Sequence, residues 1–202
     1  MRTYVALIVA VTLGFAISAG ADVPQTQPAA GTMSPKETLL YWVDHFDSMS
    51  VDDLMRTYLV SDDKQKSVAR SVAEEGIAMT KLQKAVRDKW GKDAETAVLR
   101  ACQTDTREDD EQADVTMAGD HATIKFKREE ITPLPLVHSD GQWKLDIGAL
   151  IDQYGQGADH LDSNLRQCTV IFNYTIECLA GGKYSSADQL ANEISGRLNR
   201  VQ

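Results

Sequence analysis

The sequence predicts an α+β fold: N-terminal helices packed on an antiparallel sheet, followed by a C-terminal helical hairpin. Three observations carry this. Apolar residues recur at three- and four-residue steps between Ser34 and Cys102. The period switches to two from Ala113. It returns to helical spacing after Gly148 and stays there to Val201.

The chain opens "MRTYVALIVAVTLGFAISAGADVP", in which Arg2 precedes an apolar run from Tyr4 to Ile17 and the small residues Ala19-Gly20-Ala21 follow. That is the order of a secretory signal peptide. The run is shorter than the about 20 apolar residues a membrane-spanning helix needs. Residues 1–21 are expected to be removed between Ala21 and Asp22, leaving a secreted or periplasmic chain with no membrane span. Residues 22–33, with Pro24 and Pro28 among small polar residues, read as a flexible lead-in. Residues 34–150 then form the α+β domain, and residues 151–202 a C-terminal helical extension packed on it. The chain carries 30 acidic against 21 basic residues, a net charge of −9. Its field repels phosphates, which argues against nucleic acid and against anionic membrane surfaces.

Structure begins at "SPKE". Ser34 can cap, Pro35 suits the first helical position and Glu37 completes a capping box, with Leu39, Trp42, Val43 and Phe46 on one face. Ser50 and Asp53 repeat the start signal for a short second helix through Leu54, Met55, Tyr58 and Leu59. A third helical stretch runs from Ser61 to Trp90, with Gly91 as its stop. Gly76 interrupts it at a cost of about 1 kcal/mol against alanine, which predicts a kink or break. Asp93 caps a short helix ending at Cys102. The acidic stretch "TDTREDDEQAD" does not match the spacing of a calcium loop and reads as a solvated loop.

Val115 and Met117, then Ala122, Ile124 and Phe126, alternate around a Gly119-Asp120 turn. A two-residue loop sets Met117 opposite Ala122, Val115 opposite Ile124 and Ala113 opposite Phe126, all on one face. In "HSDGQWKLDIG" a type I′ turn at Asp140-Gly141 sets His138 opposite Trp143, Leu136 opposite Leu145 and Leu134 opposite Ile147. Pro133 and Pro135 cannot donate to a ladder, which suggests a bulged or edge position there. After a short piece at Ala149 to Tyr154, Leu161, Leu165, Cys168, Phe172, Ile176 and Leu179 line one long helix. Ser186 with Gln189 then starts a last one through Leu190, Ile194, Leu198 and Val201. Of the three cysteines, Cys102 can bridge either Cys168 or Cys178, or all three can be small buried hydrophobes. Cys168 and Cys178 point away from each other on their shared helix.

Amphipathic helices followed by an antiparallel sheet that ends in "DGQWKLDIG" resemble the nuclear transport factor 2-like superfamily, which includes ketosteroid isomerase-like and SnoaL-like members. Trp143, Lys144, Leu145 and Asp146 carry the likeness, in a Gly-x-Trp-Lys strand. The resemblance implies a cone-like domain over residues 34–150, in which N-terminal helices pack on a curved antiparallel sheet and leave a cavity. It supplies no catalytic residue. This sequence has no clear strand between its second and third helices, and the residues beyond Tyr154 lie outside that fold.

His138 is the one catalytic candidate: desolvation on an apolar face favours a neutral imidazole, able to act as a base or hydrogen-bond partner. With Trp143, Tyr41 and Tyr58 it could line a small-molecule pocket. Four scattered histidines without a His-x-x-x-His or Cys-x-x-Cys pair give no metal site, and no cofactor is implied. The leading expectation is an exported non-catalytic module that binds a small apolar ligand or a protein partner, with a homodimer through the outer sheet face as one arrangement. The alternatives are a small cavity enzyme (isomerase, dehydratase or hydrolase) with His138 as general base, and a structural envelope protein.

Overall fold

The computed structural model describes residues 33–46 and 48–201. The expected leader, its Ala21–Asp22 junction and nearly all of the lead-in lie outside them. Among the described residues no helix is long and apolar enough to cross a membrane.

Helix α1 (Pro35–His45) opens on the expected capping box: the Glu37 amide donates to Ser34 Oγ and the Ser34 amide to the Glu37 carboxylate. Ser50 and Asp53 do the same for α2 (Val51–Arg56). Helix α3 (Asp63–Trp90) is capped by Asp62 and stops at Gly91, where φ is +90°. Its 28 residues span about 42 Å. The break expected at Gly76 is absent, because Gly76 is buried and the packing of both flanking turns outweighs the glycine penalty. Helices α4 (Lys92–Ala101) and α5 (Arg107–Gln112) follow; α5 occupies the acidic stretch expected to be a loop.

Five strands form one sheet in the order β1-β5-β4-β3-β2: β1 (Tyr58–Leu59), β2 (Asp114–Ala118), β3 (His121–Lys125), β4 (Leu134–Ser139) and β5 (Gln142–Asp146). The hairpins pair as expected, Met117 with Ala122, Val115 with Ile124, His138 with Trp143 and Leu136 with Leu145. Asp140 (φ +54°) and Gly141 (φ +77°) both take the left-handed conformation a type I′ turn requires. Leu134 does not reach Ile147, which has already entered α6 (Ile147–Tyr154). Pro135 sits inside the sheet, in a strand paired on both sides. Alternation explains why it is tolerated. The His138 amide bonds to Asp120 O on the β3 side, so odd-numbered residues of β4 turn their nitrogens toward β5. The nitrogen of Pro135 therefore points past Leu145, where the β4–β5 register ends and the chain leaves for α6.

The predicted layout needs correction in two places. The sheet is mixed and not wholly antiparallel, since β1 runs parallel to β5, with Tyr58 beside Leu145 and the Leu145 amide bonded to Thr57 O. The helices after the sheet are not a hairpin added to a finished domain of N-terminal helices and sheet. Helix α7 (Ala158–Ala180) lies along α3 in the same direction: Lys64 meets Asp159, Ser67 and Ser71 donate to Asp162, and Lys89 Nζ reaches Leu179 O. Helix α8 (Ala187–Leu198) packs on α4. The antiparallel strands thus sit in the C-terminal half of the chain with helices on both sides of them in sequence.

This wiring produces two apolar cores along α3. The first joins the inner sheet face to α1, α2, α6 and the N-terminal half of α3, through Leu39, Val72, Ile124, Leu136 and Leu150. The second joins the C-terminal half of α3 to α4, α7 and α8, through Met79, Leu82, Phe172 and Ile194. Burying one such side chain stabilises the fold by about 1.5–3 kcal/mol. The polar seam between the cores falls at Glu75.

Candidate functional site

Of the residues expected to line a pocket, His138 and Trp143 meet, with ring centroids 5.1 Å apart. Trp143 belongs to the first core, while His138 is half-buried at the turn end of its strand. Among the described residues the His138 ring meets Trp143 and makes no side-chain hydrogen bond. Tyr41 stacks on His45 instead, at 4.2 Å between ring centroids. Tyr58 is buried on β1, and burial, reinforced by the charge of Glu75, pushes its phenol well above the ordinary range. Replacing His138 by alanine is expected to cost about 0.5–1.5 kcal/mol in urea unfolding, the worth of the aromatic contact.

The concentrated chemistry lies elsewhere. Glu75 in α3 and Asp110 in α5 each expose 0% of their surface, and Asp105, just before α5, exposes 3%. The helical period puts Glu75 there: it falls between Val72 and Met79 on the buried stripe of α3. Residues 104–112 arrive by a tight turn in which Gln103 adopts a left-handed φ of +57° and the Thr104 amide bonds to Leu99 O. A third capping box starts α5, with Thr106 as cap and Asp109 returning the bond. The solvated loop expected for this stretch is corrected accordingly. Arg128 clamps the segment from outside, donating to Thr104 O at 3.0 Å and to Asp109 at 3.2 Å.

Asp109 is thus a satisfied carboxylate, unlike Glu75 and Asp110. Neither carboxylate oxygen of Glu75 or of Asp110 has a hydrogen-bond donor, and the Thr104 hydroxyl and the side-chain amide of buried Gln83 are likewise unpaired among the described residues. Burial first, and then the charge of Asp105, pushes Glu75 up to about 8. Burial likewise pushes Asp105 up to about 7, and Asp110 is raised by burial and by Asp105. Two carboxylates cannot donate to one another, so Asp105 and Asp110 can hydrogen-bond only when one of them holds a proton. Cys102, at the end of α4, and Cys168, on α7, complete the cluster; burial and then the charge of Glu75 hold both thiols above the ordinary range. All three cysteines are free, so the bridge from Cys102 is not formed.

Chemically, the seam gathers three buried carboxyls whose protonated forms burial favours, with Arg128 acting on Asp105 and Arg107 on Asp110 as the positive charges. Among the described residues no group of three or more metal-ligating side chains could hold an ion. The sequence reading missed Glu75 and Asp110, although both left a signal: Glu75 interrupts an apolar stripe, and Thr106-x-x-Asp109 is a helix-start spacing inside a run taken for loop. Comparison with known proteins finds no matching family model, no matching curated protein and no matching solved structure.

Proposed function

We propose that this chain is an exported, non-catalytic interaction module that works through the edge of its sheet left unpaired among the described residues, with a second copy of the chain as the partner that edge fits. The observation that carries the reading is β2. It lies at the end of the sheet order, and Met117, on its apolar side, is 57% exposed. Its hairpin closes at Ala118 and His121, so Asp114, Thr116 and Ala118 spend their backbone groups on β3. Those of Val115 and Met117 face outward.

Two such edges are self-complementary when paired antiparallel about Thr116. Val115 then exchanges two backbone hydrogen bonds with Met117 of the other copy, and the reverse. Their apolar side chains meet on one face, while Asp114 falls opposite Ala118, so no like charges oppose. The strand has five residues, which is short of the about 1,000 Å² a stable interface usually needs. Association in the micromolar range or weaker is expected. The Gly-x-Trp-Lys strand supports kinship with nuclear transport factor 2-like proteins in fold alone, and the leader sequence supports export.

In such a dimer the two Thr116 residues form a non-hydrogen-bonded pair, about 4.5 Å between Cα atoms. Thr116→Cys should therefore cross-link through residue 116 under mild oxidation. Met117→Pro, which removes only an outward amide, should abolish association while the fold melts cooperatively. A chain that sediments as a monomer up to millimolar concentration would sink the proposal, and so would a dimer indifferent to Met117→Pro.

A further inference from the structure

The carboxyl seam joins a peripheral segment to the body of the protein. Residues 104–112 contribute no side chain to either apolar core. They hang from Gln103, held in the left-handed conformation that disfavours a residue with a Cβ. What seats them is polar: the Arg128 clamp, Lys36 Nζ donating to Ala113 O at 3.0 Å, the Arg107–Asp44 ion pair at 2.5 Å, and buried Asp105, whose charge reaches Glu75, with Asp110 beside it. We propose that residues 104–112 are a proton-operated latch, seated against α1 and beside Glu75 of α3 while Glu75 and the Asp105–Asp110 pair hold their protons and released when these carboxyls ionise.

Helix α1 packs on α5 and brings Asp44, which engages Arg107, and Lys36, which is spent on Ala113 O just past the segment. Beta strand β1 offers the Tyr58 phenol, α4 and α7 offer the Cys102 and Cys168 thiols, and α5 offers Asp109. None of these brings positive charge. The cations within reach are Arg128, which Asp109 and Glu130 engage, and Arg107, which Asp44 and Glu111 engage. An ionised Glu75 therefore faces a second carboxylate in a dry seam, and leaving for water is the relief open to the segment. The seated state binds protons more tightly than the released one, so release is opposed at low pH. It becomes easier as pH rises from about 4.5 toward about 8.

The test is amide hydrogen exchange on the full chain across that range, corrected for base catalysis. Protection of residues 104–112 should fall about tenfold per pH unit for each carboxyl that ionises, while amides of α7 keep theirs. Glu75→Gln, which fixes that carboxyl in its neutral form, should reduce the slope by the one tenfold step per pH unit that Glu75 contributes and leave the share of the Asp105–Asp110 pair. A pH-independent segment would overturn the latch, as would a Glu75→Gln profile parallel to that of the parent. Should the variant not fold, infrared spectroscopy of the parent decides: a protonated-carboxyl band present at about pH 6 and lost by about pH 9 is required, and its absence at the lower pH overturns the proposal.

Discussion

At pH 8 the Glu75→Gln protein should unfold at a distinctly higher urea concentration than the parent, and the two should converge near pH 4.5. The sign follows from which state holds the proton. In the unfolded chain Glu75 ionises near its ordinary 4.5, and in the folded chain it stays protonated to about 8. The folded state thus binds more protons across that window, and stability is lost as pH rises through it. Each pH unit costs about 1.4 kcal/mol, so the parent forfeits on the order of 4 kcal/mol by pH 8. A neutral amide of the same shape does not titrate and keeps that stability. Below about pH 4 the parent weakens for the opposite reason: hydrogen bonds and ion pairs hold Asp53 and Asp114 below the ordinary carboxylate range, and protonation removes them. Equal unfolding midpoints for parent and variant at pH 8 would show that Glu75 does not hold its proton there.

The second large effect concerns α7. Phe172 is the bulkiest wholly buried side chain, set among Met79, Leu82 and Val98 in the second core. Phe172→Ala should destabilise the protein by about 3–5 kcal/mol, the transfer term plus the cavity left behind. Domains of this kind hold only about 5–15 kcal/mol in total. Ending the chain at Leu150 uncovers the whole α7-facing side of α3 and should leave no cooperative melt by calorimetry. Val170→Ala is the control: that side chain is 67% exposed, and its loss should shift stability by no more than about 0.5 kcal/mol. A truncated chain that melts sharply would make the last 52 residues, 151–202, an appendage.

These two results separate what was legible in the sequence from what was not. The capping boxes at Ser34 and Ser50 and the registers of both hairpins were legible because each is settled within a dozen residues. Strand β1 was not: two residues carry no period, and its hydrogen bonds come from β5, far along the chain. The apolar faces of α3 and α7 were plain in the sequence, whereas their choice of each other was not, since a stripe does not name its partner. In the site, charge density around Asp109 and Asp110 outweighed the capping signal at Thr106, because composition averages over a segment while burial is decided residue by residue.

The parallel run of α3 beside α7 also sets a timetable. Lys89 meets Leu179 O across 90 positions, and Ser71 meets Asp162 across 91. Loops of that length must close before their contacts return anything, which slows folding. A ribosome adds about 5–20 residues per second, so α3 emerges several seconds before the helix that covers it. Through that interval its apolar stripe stands open, and the second core waits for α7 and α8 to be made.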